Sequence, residues 1–96
     1  MSAYIIGQMK IFNDAWKDEY FSKVPALIEQ HGGRFLVKGG NAVKLEGPSS
    51  LSDASFVLEF GTKENALAFW NSSEFAPLVE LRQSGSELNA MLVEGV

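Results

Sequence analysis

The sequence predicts an α+β domain with the ferredoxin-like plan, an antiparallel sheet in the order β-α-β-β-α-β with two helices on one face. Three observations favour this plan. Two stretches repeat apolar residues every three or four positions, and runs with alternating apolar residues flank them. A glycine stop at Gly32 separates the first helix from the next strand. The 96 residues, 46% of them hydrophobic, are typical of one globular domain spanning 1–96.

The first strand is predicted over residues 3 to 12, which are rich in β-branched and aromatic types. Alternation along a strand separates two faces. One face is wholly apolar or small, and we expect it to lie under the helices: Ile5, Gly7, Met9 and Ile11. The other face mixes apolar and polar groups: Tyr4, Ile6, Gln8 and Lys10.

The first helix is predicted to begin at Asn13-Asp14, with Asn13 as its N-cap. One face of this helix has the apolar spacing of three and four residues: Trp16, Tyr20, Val24, Leu27, Ile28 and His31. Pro25 lies inside the helix, and we expect a kink there because proline removes one backbone donor. Gly32 is the expected left-handed stop.

The middle of the chain predicts two main strands and a short hairpin. Residues 34 to 38 form the second strand, and the turn at 39–41 lets residues 42 to 46 run back as its hairpin partner. Residues 47–53 are typical of a surface loop. Residues 54 to 60 form the next main strand.

The last third predicts a helix, a break and a final strand. Thr62 is the expected cap of the second helix, which turns three residues inward: Ala66, Phe69 and Trp70. Residues 72–74 suggest a fresh N-cap after a break, and Pro77 falls in the first turn of the segment that follows. Residues 88 to 94 form the final strand.

One face of the sheet is expected to lack helices. It carries polar residues, Gln8 and Glu59, among apolar ones that are unsuited to water: Tyr4, Ile6, Leu36, Val57 and Met91. A second copy packing sheet against sheet would cover this face and enclose a partly polar cavity. We therefore expect a homodimer.

Composition disfavours several function classes. The net charge is −4 with scattered lysines and arginines, which disfavours nucleic-acid binding. The absence of cysteine excludes disulfides and thiolate chemistry. No apolar run approaches the ~20 residues of a membrane helix, and the start of the chain does not resemble a signal peptide. We expect a cytoplasmic protein without membrane contact.

A set of short motifs runs along nearly the whole chain. They are Ala3-Tyr4, Gly7-Gln8, His31-Gly32-Gly33-Arg34-Phe35-Leu36, Gly39-Gly40, Leu45-Glu46-Gly47, Glu59-Phe60, Ala66-Leu67-Ala68-Phe69-Trp70, Ser73-Glu74-Phe75, Pro77-Leu78, Arg82, Asn89 and Leu92-Val93-Glu94-Gly95. As a set they resemble the DUF1330 family of the dimeric α+β barrel superfamily. The resemblance implies a ferredoxin-like protomer that pairs through its sheet. It implies no particular reaction, since the wider superfamily includes cofactor-free monooxygenases, lactone isomerases and haem-degrading enzymes.

His31 and Glu59 are the candidate acid and base. His31 is the sole histidine and lies at the end of the first helix, where it either exchanges protons or binds a free carbonyl. Glu59 lies on a strand next to Arg34 and next to the strand of Gln8. Arg34 and Gln8 would bind substrate if all three face one cavity, and the alternative is a structural ion pair at the dimer seam.

Trp70, Arg82 and Asn89 are the other candidate ligand contacts. Trp70 is either a wall of the pocket or a core residue, and Arg82 is either an anion clamp or a partner for a helix-end carbonyl. Asn89 either binds ligand or satisfies a strand edge.

Neither a metal nor a cofactor is predicted. One histidine cannot supply a histidine-rich metal site, and a haem site would have His31 alone to support it. Three functions remain: a homodimer that binds a small anionic or aromatic metabolite between sheet and helices, a cofactor-free isomerase or monooxygenase using His31 and Glu59, and a purely structural dimer.

Overall fold

The computed structural model describes residues 1–96, which form a four-stranded antiparallel sheet with three helices on one face. The elements in chain order are β1 (Ala3–Ile11), α1 (Lys17–Gln30), β2 (Arg34–Gly39), β3 (Ala54–Phe60), α2 (Lys63–Trp70), α3 (Ala76–Gln83) and β4 (Ser86–Glu94). The strand order β2-β3-β1-β4 places β1 and β3 in the centre. This confirms the predicted α+β class and ferredoxin-like plan, with the second helical region divided into two helices.

The strand register confirms the two faces predicted for β1. Buried residues alternate along it at Ala3, Ile5, Gly7 and Met9. Ala3, Ile5 and Met9 join one hydrophobic core with residues from β3 and from all three helices. The opposite face has no helix over it, and there Ile6 lies between Val57 of β3 and Met91 of β4.

The start of α1 differs from the prediction. The helix begins at Lys17, and Asn13 is not its N-cap: the Asn13 Oδ1 accepts a hydrogen bond from the Ala15 N–H at 3.1 Å. The Asn13 carbonyl accepts another from Trp16 Nε1 at 2.8 Å. Asn13 therefore closes a turn before the helix, and that turn carries Trp16 into the core. The helix continues past Pro25, and Gly32 ends it with φ +77°, as predicted.

The predicted hairpin partner over residues 42 to 46 does not form. Residues 40–53 contain no strand, and Val43 and Leu45 are 80% and 94% exposed. A short hairpin is stable only when its side chains pack on something, and these two are largely exposed to solvent. The segment returns to the sheet at Asp53, whose N–H donates to the Met9 carbonyl and whose carboxylate accepts from the Ile11 N–H.

The caps of the second helical region largely agree with the sequence. Thr62 caps α2, and its hydroxyl oxygen accepts from the Asn65 N–H at 3.1 Å. Ser72 closes the turn between the helices by accepting from the Phe75 N–H, and α3 starts just after it, with Pro77 in its first turn. β4 begins at Ser86, two residues earlier than predicted. None of the three helices is long and apolar enough to cross a membrane.

Candidate functional site

A cavity of about 390 Å³ lies between the sheet and the helices. Small-molecule sites commonly have volumes of about 300–1,000 Å³. The wall is mainly apolar, and large aromatic side chains form much of it: Trp16, Tyr20, Phe21, Phe56, Trp70 and Phe75. The cavity is thus large enough for a small organic molecule and is suited to a flat apolar one.

Edge-to-face packing holds these aromatic walls in place. The ring centroids of Trp16 and Tyr20 are 5.4 Å apart, and those of Tyr20 and Phe21 are 5.2 Å apart, both nearly perpendicular. Trp70 meets Phe75 edge-on at 5.5 Å. Such contacts favour defined ring orientations, so the cavity is largely preformed.

Lys38 is the cation at this cavity that has no carboxylate partner. Its Nζ lies 4.5 Å from the centre of the Phe21 ring and 5.3 Å from that of Phe35, and it forms no ion pair. Lys17, also in the wall, is paired with Asp14 at 2.7 Å. Lys38 can therefore attract an anion to the aromatic cavity.

Behind the wall lies a second unpaired cation, Arg82. It is only 3% exposed, and its Nη1 donates a hydrogen bond to the Tyr20 hydroxyl at 3.2 Å. Its guanidinium carbon is 5.8–5.9 Å from the ring centres of Tyr20, Trp70 and Phe75. No carboxylate pairs with it, and its Nε is buried without a hydrogen-bond partner. The structure thus brings together two of the predicted ligand-binding residues, Trp70 and Arg82.

Tyr20 is a polar wall residue, although its spacing in the sequence predicts only that it lies on the apolar face of α1. Burial raises the pKa of its phenol above the ordinary value, while the charge of Arg82 and the hydrogen bond from it act in the opposite direction. The phenol therefore stays protonated at neutral pH. The sequence held a signal for this pair. Tyr20 stands where a phenylalanine would fill the core, and Arg82 has no obvious acidic partner.

His31 lies outside the wall of this cavity. Its Nδ1 is 3.0 Å from the Leu27 carbonyl oxygen, and its ring packs edge-on against Phe69, which does line the cavity. Its charge adds a small contribution to the lowered pKa of Glu74, after the larger contributions of a backbone hydrogen bond and the Ser73 hydroxyl. An acid-base role for His31 stays a prediction.

Glu59 lies at the opposite side of the sheet from the cavity wall. Its Oε1 accepts a hydrogen bond from Arg34 Nε at 2.9 Å, and the Arg34 side chain is 70% exposed. Tyr4 is its partner on β1. The pair is thus brought together as the strand order predicts, and its role in binding or catalysis stays a prediction.

Gln8 and Asn89 face each other across β1 and β4. They line a shallow depression on the helix-free face, together with Ile6 and Met91. Gln8 is four positions along β1 from Tyr4, the partner of Glu59, which corresponds to about 13 Å. Gln8 and Glu59 therefore share a face but not a site within one protomer.

No group of three or more histidine, aspartate or glutamate side chains is arranged to hold a metal ion. The main cavity is lined by aromatic faces, the Tyr20 phenol, the unpaired Lys38 and the Asp53 carboxylate, and Arg82 lies behind the wall.

Comparison with known proteins establishes the family and the fold. The family model for a domain of unknown function, DUF1330, matches residues 2–96. No curated protein matches the chain. Among solved structures, a protein of unknown function from Rhodopseudomonas palustris superposes with a TM-score of 0.82 at 13% identity, over 99% of this chain and 82% of that one.

Two further structures share the fold. SnoaB, a cofactor-independent oxygenase from Streptomyces nogalater, has a TM-score of 0.66 at 13% identity, over 99% of this chain and 93% of SnoaB. A dimeric protein of unknown function with a ferredoxin-like fold from Bacteroides fragilis has a TM-score of 0.55 at 13% identity, over 98% and 96% of the two chains. At these identities the likeness shows a shared fold and does not transfer an activity.

Proposed function

The chain belongs to the DUF1330 family, and from that premise we propose that it binds a small anionic aromatic metabolite in the cavity between sheet and helices. One observation carries this proposal: a cavity of about 390 Å³ with aromatic walls has an unpaired lysine, Lys38, on its lining. An apolar enclosure favours a flat ligand body, and the ammonium group favours a negative charge at its edge.

The electrostatics of the wall support an anion over a cation. Lys17 and Asp14 form an ion pair, and Asp53, whose carboxylate accepts the Ile11 N–H at 2.8 Å, is the one acidic residue of the lining. Lys38 and Arg82 keep positive charges that no protein carboxylate balances. An anionic ligand would supply the missing negative charge, whereas a cationic ligand would meet like charge.

A second candidate function is cofactor-independent oxygen or isomerase chemistry on such a ligand. The fold shared with SnoaB favours it, together with a mainly apolar cavity that can hold an aromatic compound. The sequence predicts His31 and Glu59 as the residues that exchange protons in such chemistry. Both residues lie outside the cavity wall. In this role they must contact the ligand elsewhere, for instance at a surface completed by a second copy.

We further propose that the protein is a homodimer closed through the helix-free face of the sheet. The protomer is only 16 Å thick along its shortest axis, which leaves that face uncovered. Met91 and Val93 are 59% and 40% exposed there. One neighbouring structure is a dimeric protein with a ferredoxin-like fold, which supports the proposal by analogy. A dimer with a solidly filled cavity and no ligand would leave the purely structural function.

Native mass spectrometry followed by ligand titration tests the binding proposal. Protein purified without tag or added ligand is expected to carry an extra small mass. In calorimetric titrations 2-naphthoate, a flat aromatic carboxylate, is expected to bind the wild type more tightly than the uncharged 2-naphthamide. Lys38→Met is expected to weaken 2-naphthoate binding by about three- to fivefold, a modest factor because Lys38 is exposed.

Lys44→Met is the matched control, because Lys44 lies in the exposed segment 40–53 and does not line the cavity. It is expected to bind both probes like the wild type. A protein that carries no small mass and binds neither probe would contradict the binding function and leave the structural one.

A further inference from the structure

We propose that Tyr20 is the anchor for the charged end of the ligand: its hydroxyl donates a hydrogen bond to an anionic oxygen, and Arg82 positions the phenol and balances the charge. The ligand class is then an aromatic compound with a carboxylate or another ionised oxygen. The inference rests on the proposed function, because it requires the cavity to hold a ligand.

The first step is the unbalanced charge of Arg82. The Arg82 residue is only 3% exposed, forms no ion pair and leaves Nε buried without a partner. Aromatic faces surround it, and they offer weaker compensation than a carboxylate would. A buried cation without a counter-ion is costly, so an anion bound nearby would be strongly favoured.

The second step is the route by which a ligand reaches this charge. Tyr20 lines the cavity and Arg82 does not. Arg82 donates to the Tyr20 oxygen at 3.2 Å, which uses that oxygen as an acceptor. A phenol accepts and donates at once, and the Tyr20 proton has no protein acceptor in the structure. The Tyr20 hydroxyl can therefore donate a hydrogen bond to a ligand oxygen while it accepts one from Arg82.

The third step is that Tyr20 must be protonated to donate. Burial raises the pKa of its phenol, and Arg82 only partly opposes this, so the neutral phenol is the form present at pH 7. Two other donors near the wall are already engaged: Trp16 Nε1 bonds to the Asn13 carbonyl, and Lys17 pairs with Asp14. Lys38 lies exposed at the wall and does not replace a buried donor.

The test uses Tyr20→Phe, which removes only the hydroxyl, with Tyr4→Phe as its matched control on the helix-free face. Binding of 2-naphthoate and 2-naphthamide is measured by calorimetry at low temperature, after near-ultraviolet circular dichroism has shown that each variant is folded. Tyr20→Phe is expected to weaken 2-naphthoate binding about tenfold or more and 2-naphthamide binding less than about threefold. Tyr4→Phe is expected to leave both affinities unchanged.

A second measurement uses the wild-type protein and does not depend on a variant that folds. With the ring carbon that bears the hydroxyl labelled by ¹³C in both tyrosines, titration with 2-naphthoate is expected to shift the Tyr20 signal and leave that of Tyr4 in place. The uncharged amide is expected to produce a smaller shift. The two tyrosine signals are assigned with Tyr4→Phe.

The outcomes separate this inference from the proposed function. A wild type that binds neither probe overturns the proposed function and the anchor with it. Binding of 2-naphthoate with unchanged affinity in Tyr20→Phe and no shift of the Tyr20 signal overturns the anchor alone. An equal loss of both probes in Tyr20→Phe also overturns it, since that pattern reflects a change in cavity shape.

Discussion

Arg82 of α3 donates a hydrogen bond from Nη1 to the hydroxyl of Tyr20 on α1, across 3.2 Å and 62 positions of sequence. This contact joins two helices at the back of the cavity wall. It also holds the polar hydroxyl of Tyr20, a core aromatic residue, in one orientation. The behaviour of this pair therefore reports on both the stability of the fold and the chemistry of the cavity.

Removing the two partners of this pair should have opposite effects on stability. Tyr20→Phe leaves a buried guanidinium with one partner fewer, so we expect the free energy of unfolding to fall by about 1–3 kcal/mol. Arg82→Met removes a buried charge that has no carboxylate partner and keeps the length of the side chain, so stability should be retained or rise by up to about 2 kcal/mol. Urea unfolding measures both, and a loss of more than about 2 kcal/mol in Arg82→Met would contradict the interpretation.

Alkaline pH should destabilise the protein through Tyr20. The pKa of its phenol is raised above 10.0 in the folded protein, mainly by burial, so the unfolded chain ionises first as the pH rises. The associated stability is complete below about pH 10 and is lost as the pH rises through the folded pKa. Urea midpoints between pH 8 and 11 should decline less in Tyr20→Phe than in wild type, with Tyr4→Phe as the control. Parallel declines in all three proteins would refute this assignment.

Adding a methyl group at Gly7 should perturb the cavity from the sheet side. A Cβ built there would lie 2.3 Å from the Phe56 ring, which lines the cavity, so Gly7→Ala must push that ring away. We expect a loss of about 1–3 kcal/mol in stability and weaker binding of 2-naphthoate. At Gly61 an added Cβ meets nothing within 4 Å, so Gly61→Ala is the matched control in thermal unfolding and calorimetry.

Substitution of the two predicted acid-base residues should leave cavity binding intact. Glu59→Gln breaks an ion pair with a largely exposed arginine, and we expect a change in stability of less than about 1 kcal/mol. Neither Glu59 nor His31 lines the cavity, so Glu59→Gln and His31→Gln should bind 2-naphthoate within about twofold of wild type. A tenfold loss in either variant would instead place that residue at the ligand and revive its proposed role.

The helix-free face should control assembly. Ile6 lies between Val57 and Met91 on that face, so Ile6→Asp buries a charge if two sheets pack together there. Light scattering after gel filtration at about 10 µM should give twice the protomer mass for wild type and the protomer mass for Ile6→Asp. Val43→Asp, in the exposed segment 40–53, should match wild type. A monomeric wild type would overturn the homodimer.

Local patterns in the sequence determined much of the fold, because they depend on near neighbours. Alternation along residues 3 to 12 separated the buried face of β1 from the helix-free face, and β3 has the bounds 54 to 60 that were predicted. Thr62 and Gly32 marked helix ends through cap and left-handed geometry that a few residues decide. The strand order that follows from the plan also placed Arg34 beside Glu59.

Local patterns failed where the decisive partner is distant. The segment 42 to 46 has the alternation of a strand, but nothing in the protomer covers Val43 and Leu45, so no hairpin forms. Asn13 is of a residue type that commonly caps helices, but Trp16 packs into the core and α1 begins only at Lys17. In both cases the contacts available in three dimensions outweighed the local preference.

Periodicity, caps and motifs are local properties, and they were enough to predict the class of fold, the family resemblance and the two faces of the sheet. Which polar groups meet at the cavity depends on the three-dimensional packing. It joined Tyr20 to Arg82 and set Lys38 over Phe21, and it placed Glu59 on the other face. The physical reason is that the ionic and hydrogen-bonding partners of a side chain come from elements that are distant in sequence. The spacing of residues along the chain does not predict which of them will meet.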